Sequence, residues 1–262
     1  VTDETIENYT DKVCPDFTGK KAFIANGAMR GMVAAMFAAC GFTRADTVED
    51  ADIIVFTGGS DVSPALYGQT AISGTYFNRD RDNLEVEIFT RAKELGKPMF
   101  GICRGMQFLH VMAGGALWQD VTGHAGPDHF MVDIEEGVRL KVTSLHHQMV
   151  QVSDKINMQL IGVCEDTITK KFEDENILMH TGALSNNARE STATLETEAA
   201  FYPDINALAV QGHPECGSDE YKSWTMNKIK DRFFDEADPE DYELEYEVIT
   251  VNAEGDSKCA ES

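Results

Sequence analysis

The sequence predicts an α/β fold with a mostly parallel central sheet flanked by helices. Short β-rich runs alternate with helical stretches from Lys20 onward, and two of the runs are unbroken apolar tetrads, as strands covered on both faces require. The third observation is punctuation, since Gly-rich turns fall at the ends of these runs. Residues 21–25 read as the first strand and residues 29–39 as a helix of small residues stopped by Gly41. Residues 53–56 (Ile-Ile-Val-Phe) are a buried strand running into the turn Thr57-Gly58-Gly59-Ser60-Asp61. Residues 84–95 carry Leu84, Ile88, Ala92 and Leu95 at helical spacing before Gly96. Residues 98–102 are a second buried strand, and residues 104–113 a helix closed by Gly114-Gly115.

The second half is less regular. Residues 138–142, 150–152 and 160–164 read as short strands, and residues 193–202 and 207–211 as a hairpin around Pro203-Asp204-Ile205-Asn206. Residues 165–191 are polar and without a period, and are expected to be a long loop that acts as a lid. Residues 223–234 fit a last amphipathic helix. The expected organisation is one domain over residues 1–236 and a solvated acidic tail over 237–262.

Composition bounds the function. A chain of 262 residues, 42% hydrophobic and 26% charged, buries enough surface to fold without staples. With 22 basic against 45 acidic residues the net charge is −23, which repels phosphate backbones and anionic lipid, so neither nucleic acid nor membrane is an expected partner. No apolar run is long enough to span a bilayer, and the first eleven residues lack a basic-then-apolar leader pattern. The six cysteines, Cys14, Cys40, Cys103, Cys164, Cys216 and Cys259, are scattered, as in a reducing cytoplasmic compartment.

Chemistry concentrates in Phe100-Gly101-Ile102-Cys103-Arg104-Gly105-Met106-Gln107. A buried strand enters a small-x-nucleophile-x-small turn and leaves directly into a helix, which is the context of a nucleophile elbow with Cys in place of Ser. The helix N-terminus beneath the sulfur favours thiolate, and its free N–H groups can stabilise an oxyanion. A thiolate nucleophile needs a base. His213, in Val210-Gln211-Gly212-His213-Pro214-Glu215 after a predicted strand, is the candidate, with Glu215 as its orienting carboxylate. His124, His129, His146 and His147 show no zinc-ligand spacing, so no metal is expected, and nothing calls for an organic cofactor.

Gly101-Ile102-Cys103-Arg104-Gly105-Met106-Gln107 and Gln211-Gly212-His213-Pro214-Glu215 resemble the two signatures of class I glutamine amidotransferases. Further runs resemble the γ-glutamyl-γ-aminobutyrate hydrolase (peptidase C26-like) branch: Gly58 to Pro64 with Leu66-Tyr67-Gly68, Arg81-Asp82 with Glu85, Gly114 to Asp120, and Ser144 to Gln148. The resemblance covers residues 20–234 in family order. It implies a flavodoxin-like fold and a Cys103–His213–Glu215 triad. It also implies an oxyanion hole from the N–H groups of Gly59 and Arg104, with Gln107 and the His147-Gln148 backbone holding the glutamyl group. Hydrolysis of a γ-glutamyl amide through a γ-glutamyl thioester follows, with two alternatives: a glutaminase subunit feeding ammonia to a separate synthetase, or a silent binding protein of the same fold. Gly212 stands where many relatives carry an aromatic residue, which implies either a wider site or a moved wall behind the triad.

Overall fold

In the computed structural model, residues 6–180 and 195–235 are described; the expected tail and part of the expected lid fall outside them. Ten strands form one sheet through the described residues, in the order β1 (Glu7–Asn8), β9 (Val138–Val142), β8 (His129–Asp133), β11 (Gln159–Cys164), β14 (Thr197–Tyr202), β15 (Ala207–Val210), β5 (Met99–Ile102), β4 (Ile53–Phe56), β2 (Lys21–Ile24) and β3 (Thr43–Arg44). The strands from β15 to β3 are parallel, while those from β9 to β15 pair antiparallel. Two smaller sheets pair β10 (Met149–Val150) with β6 (Leu117–Trp118), and β7 (Asp120–Val121) with β12 (Lys171–Glu173) and β13 (Leu178–His180).

Helices α1 (Arg30–Ala39), α2 (Arg79–Glu94), α3 (Arg104–Met112) and α4 (Asp219–Phe233) complete the frame. The unbroken apolar strands are buried on both faces. Ile53, Val55, Phe100 and Ile102 join one core with Val33, Phe37 and Trp224, while Ile54, Phe56 and Met99 join the other with Phe89, Phe108 and Leu109. Period-two alternation sends successive side chains into opposite cores, so no polar position is tolerated in either strand.

Three expectations need correction. Helix α2 begins at Arg79, because the Asn78 side chain caps it by accepting from the N–H groups of Asp80 and Arg81 at 3.0 and 3.2 Å. Helix α4 begins at Asp219, with Ser218 accepting from Tyr221 N–H at 3.2 Å. Both helices therefore start before their first apolar residue. The stretch 165–191 is not a bare loop over its described part, because β12 and β13 form a hairpin that extends β7. Phe172 anchors it, buried against Trp118 with ring centroids 5.5 Å apart.

Candidate active site

Strands β4, β5 and β15 are neighbours and parallel, so their C-terminal ends lie side by side. That edge is where a parallel α/β sheet exposes functional loops. The three ends deliver Thr57-Gly58-Gly59, Cys103 and Gln211-Gly212-His213 to one place.

Cys103 lies between β5 and α3 with φ 53° and ψ −108°, a backbone conformation that L-residues rarely adopt. Such strain, of about 1–3 kcal/mol, is held by its surroundings. Cys103 N–H donates to Val210 O at 2.8 Å, and Gln107 N–H donates to Cys103 O at 3.2 Å. The flanking glycines are needed for close approach. A Cβ on Gly101 would lie 2.6 Å from Gly105 O, and one on Gly105 would lie 2.2 Å from Phe56 O. The turn can be this tight only without side chains at those two positions.

His213 and Glu215 are positioned by a 3₁₀ turn, Pro214–Cys216. His213 Nδ1 donates to Glu215 Oε1 at 2.8 Å, which leaves Nε2 free to face Cys103, whose nearness contributes to the rise in the imidazole pKa. Burial pulls the imidazole pKa down. The hydrogen bonds and negative charges of Cys103 and Glu215 outweigh it and push the imidazole up to about 10. All three side chains are buried, at 6, 4 and 5% exposure for Cys103, His213 and Glu215. Among the other cysteines, burial pushes Cys40 up to about 12 and raises Cys164 and Cys216 as well, so these three remain thiols at neutral pH.

Gly58 and Gly59 complete the same corner. A Cβ on Gly58 would sit 2.7 Å from His213 Cε1, so the turn packs directly against the imidazole. Gly59 has φ +137°, and a Cβ there would lie 2.2 Å from Arg81 Nη1. Neither Gly59 N–H nor Arg104 N–H is spent on a hydrogen bond among the described residues. Arg104 is fully buried and pairs with Asp82 and Glu85, while Arg81 Nε donates to Glu85 Oε1 at 2.9 Å and its Nη2 to Thr57 O at 2.8 Å. Burial and the Arg81 cation lower the Arg104 guanidinium to about 9 against the pull of Asp82, so it stays charged at neutral pH. Burial raises Asp82 despite Arg104.

The other site candidates are placed differently. Gln107 is buried, with its amide NH₂ donating to Gln148 O at 3.0 Å and Gln211 Oε1 at 3.3 Å. Gln148 is buried too and donates to Gln119 O at 3.1 Å. His147 stands between Asp61 (3.2 Å) and Asp120 (3.4 Å), and the hydrogen bond with Asp61 is the main reason its pKa rises. No side-chain hydrogen bond among the described residues links these three to Cys103, His213 or Glu215.

Gly212 does not widen the site. A Cβ there would meet Tyr221 Oη at 2.7 Å and Thr143 O at 2.9 Å, so a buried aromatic ring supplied by α4 fills that space. Sequence reasoning also missed Thr143, whose Oγ1 accepts from His213 N–H at 2.6 Å. It gave no role to Arg81 against Gly59. Thr143 carries no local signal, and the Arg81-Asp82 run with Glu85 marks a resemblance without saying what Arg81 packs against. Conversely, an apolar groove of about 460 Å³ between α1 and β3 contains none of the candidate residues. Finally, the fold gathers His124, His129 and Glu198, with donor atoms within 4.8 Å of one another, although their spacing shows no metal pattern.

The model of the family Peptidase C26 matches residues 25–215. A protein of Lactococcus lactis described as glutamine amidotransferase-like, YvdE, is 32% identical over 168 residues, covering 63% of this chain and 66% of that relative. The γ-glutamyl-γ-aminobutyrate hydrolase PuuD of Escherichia coli is 29% identical over 164 residues, covering 62% of this chain and 63% of that protein. The chain thus matches a little under two thirds of the length of these two relatives. A solved structure from Thermoplasma acidophilum, provisionally described as a GMP synthase component, superposes with a TM-score of 0.52 at 12% identity, over 81% of this chain and 98% of that one. That likeness concerns the fold alone.

Proposed function

The chain belongs to the peptidase C26 family, and on that premise we propose that it hydrolyses a γ-glutamyl amide through a Cys103–His213–Glu215 triad. Its class I glutamine amidotransferase-like fold suits that chemistry. The observation that carries the reading is the grouping at one sheet edge: Cys103 at a strained strand–helix elbow, His213 near enough for the cysteine to raise its pKa, and Glu215 on Nδ1 at 2.8 Å.

The steps follow from the protonation states. With the imidazole raised to about 10, His213 holds a proton at neutral pH beside the Cys103 sulfur, which attacks the γ-carbonyl carbon as a thiolate. The carbonyl π electrons move to oxygen, and the oxyanion accepts from Gly59 N–H and Arg104 N–H. The C–N bond then breaks as His213 gives its proton to the departing nitrogen, leaving the γ-glutamyl thioester on Cys103. Acylation removes the sulfur's charge and its hydrogen bond, two of the supports that raised the imidazole. His213 becomes a competent base at that point. It takes a proton from water, the hydroxide adds to the thioester, and the thiolate leaves as glutamate is released.

The test uses isolated protein with glutamine and with several γ-glutamyl amines. Release of amine or ammonia, lost in Cys103→Ala, together with a glutamine-analogue electrophile found on Cys103 by mass spectrometry, is the expected result. Labelling of another cysteine would overturn the triad. Turnover that appears only when a synthetase is added would decide for the amidotransferase alternative.

A further inference from the structure

A second cluster of chemistry-bearing side chains lies outside the triad. His124 follows β7, His129 opens β8, and Glu196 and Glu198 lie at the start of β14, with one residue between them. His124 Nε2 is 2.9 Å from Glu196 Oε2 and 3.1 Å from Thr169 Oγ1. Glu196 is itself held, its oxygens accepting from Thr169 N–H at 3.0 Å and Ile168 N–H at 3.2 Å. A carboxylate only accepts, so His124 Nε2 carries a proton, and in the neutral ring Nδ1 then offers its lone pair. That Nδ1 is fully buried, has no hydrogen-bond partner, and lies 3.8 Å from Glu198 Oε1. His129 Nε2 approaches the same oxygen at 2.9 Å. Glu198 is fully buried, and its Oε2 has no partner either.

With His124 neutral, the cluster aims an imidazole lone pair at a carboxylate with no proton between them, away from water. Burial penalises such a pair unless a cation joins the two. We propose that His124 Nδ1, His129 Nε2 and the Glu198 carboxylate bind one divalent transition-metal ion, with zinc the expected occupant.

Three features fit that ion. Bonds of about 2.0–2.2 Å in a tetrahedral zinc site put donor atoms about 3.3–3.6 Å apart, and the separations of 2.9 and 3.8 Å bracket that range. Two imidazoles and one carboxylate suit zinc better than calcium or magnesium, which prefer oxygen alone. Glu196 on the far nitrogen of His124 is the carboxylate–histidine arrangement that orients a metal-bound imidazole. A third imidazole stands beside the site: the His146 ring is 4.6 Å from that of His124, its Nδ1 donates to Gln148 O, and its buried Nε2 is without a partner. The ion would tie the segment after β7 to β8 and β14. Glu198 O accepts from Gln211 N–H at 2.8 Å, two residues before His213, so the clamp backs the strand that carries the proposed base.

The experiment uses full-length Cys103→Ala protein, stripped with a chelator, because the Cys103–His213 pair is itself a potential metal binder. Titration with Zn²⁺ should show one bound equivalent and a melting temperature that climbs with free metal. Co²⁺ in its place should give tetrahedral d–d bands without thiolate charge transfer. Adding Glu196→Gln should weaken binding by about 10–100-fold, and adding His129→Ala by more than that. His129 is only partly buried, so the His129→Ala protein is expected to fold, which far-ultraviolet circular dichroism checks. No bound equivalent, undiminished binding in His129→Ala, or a thiolate signature in the cobalt spectrum would each overturn the assignment.

Discussion

Replacing Gly105 by alanine tests the elbow and the proposed oxyanion hole together. A Cβ at that position lies 2.2 Å from Phe56 O and 2.7 Å from Phe56 C, whereas ordinary contact begins near about 3.5 Å. The start of α3 and the end of β4 must therefore part by about 1.3 Å. The obstacle is backbone, held in the sheet between β2 and β5, so it cannot swing aside as a side chain tip would. Overpacking of this kind costs about 1–3 kcal/mol, offset in part by the roughly 1 kcal/mol that alanine gains over glycine within a helix. With a net loss of up to about 2 kcal/mol, melting should fall by up to roughly 8 °C. The effect on turnover should be larger. Arg104 N–H rides on the displaced helix and Gly59 N–H on the loop after β4, and misplacing one oxyanion donor costs about 10²–10³ in kcat. Gly31 supplies the opposite sign, since a Cβ there meets nothing within 4 Å and Gly31→Ala in α1 should stabilise by about 0.5–1 kcal/mol with turnover unchanged. Calorimetry and steady-state kinetics on both variants are the assay. Wild-type melting and turnover in Gly105→Ala would refute the reasoning.

Further expectations follow from the site's electrostatics and hydrogen bonds. Glu215→Gln should lower the pH at which His213 loses its proton, read from its ring resonances by NMR. Because folding raises that pKa from 6.5 to about 10, the stabilisation is fully present below about pH 6.5 and is lost as pH rises through 10, so the melting advantage of wild type over Glu215→Gln should shrink across that window. Thr143→Val leaves the buried His213 N–H without its acceptor, for a stability loss of about 1–3 kcal/mol and a lower kcat, measured by denaturant unfolding and kinetics. Arg104→Met leaves Asp82 in the core without its guanidinium partner and Glu85 with Arg81 alone, and urea unfolding should show a loss of about 3–5 kcal/mol.

What the sequence made legible is what it encodes locally. Ile53–Phe56 and Met99–Ile102 announce themselves because a strand buried on both faces admits no polar residue. Cys103 and His213 each sit at the end of such a strand, so a motif of six or seven residues contains both the side chain and the element that aims it. The first turns of α2 and α4 escaped apolar periodicity because they are polar, and only Asn78 and Ser218 mark them. Lys171–Glu173 is too short to show a period, and its place depends on Phe172 meeting Trp118, a contact between distant segments. Gly212 left two readings open for the same reason, since the ring that fills its neighbourhood comes from Tyr221. The cluster of His124, His129 and Glu198 likewise draws on separate segments, so no spacing rule reports it.

The buried charges beneath the elbow link the two chain segments that carry the N–H groups proposed for the oxyanion hole. Gly59 lies against the Arg81 guanidinium, and Arg104 carries the second N–H group on its own backbone. One carboxylate, Glu85, pairs with both guanidinium groups, while Asp82 takes Arg104 and accepts from Ser63 N–H at 3.3 Å, which adds the segment after the Gly58-Gly59 turn. Two cations and two anions leave no net charge to attract solvent, but desolvating four ions opposes folding, and an apolar core of the same shape could be as stable. Stability alone is therefore a poor reason for such a cluster. Its bridged geometry, with Arg104 joining Asp82 to Glu85 and Glu85 joining Arg104 to Arg81, restrains the β4 loop and the α3 N-terminus relative to each other more tightly than apolar packing does, because charged hydrogen bonds are directional. The strained φ at Cys103 fits the same account, since such a backbone persists only where the surrounding structure over-determines it.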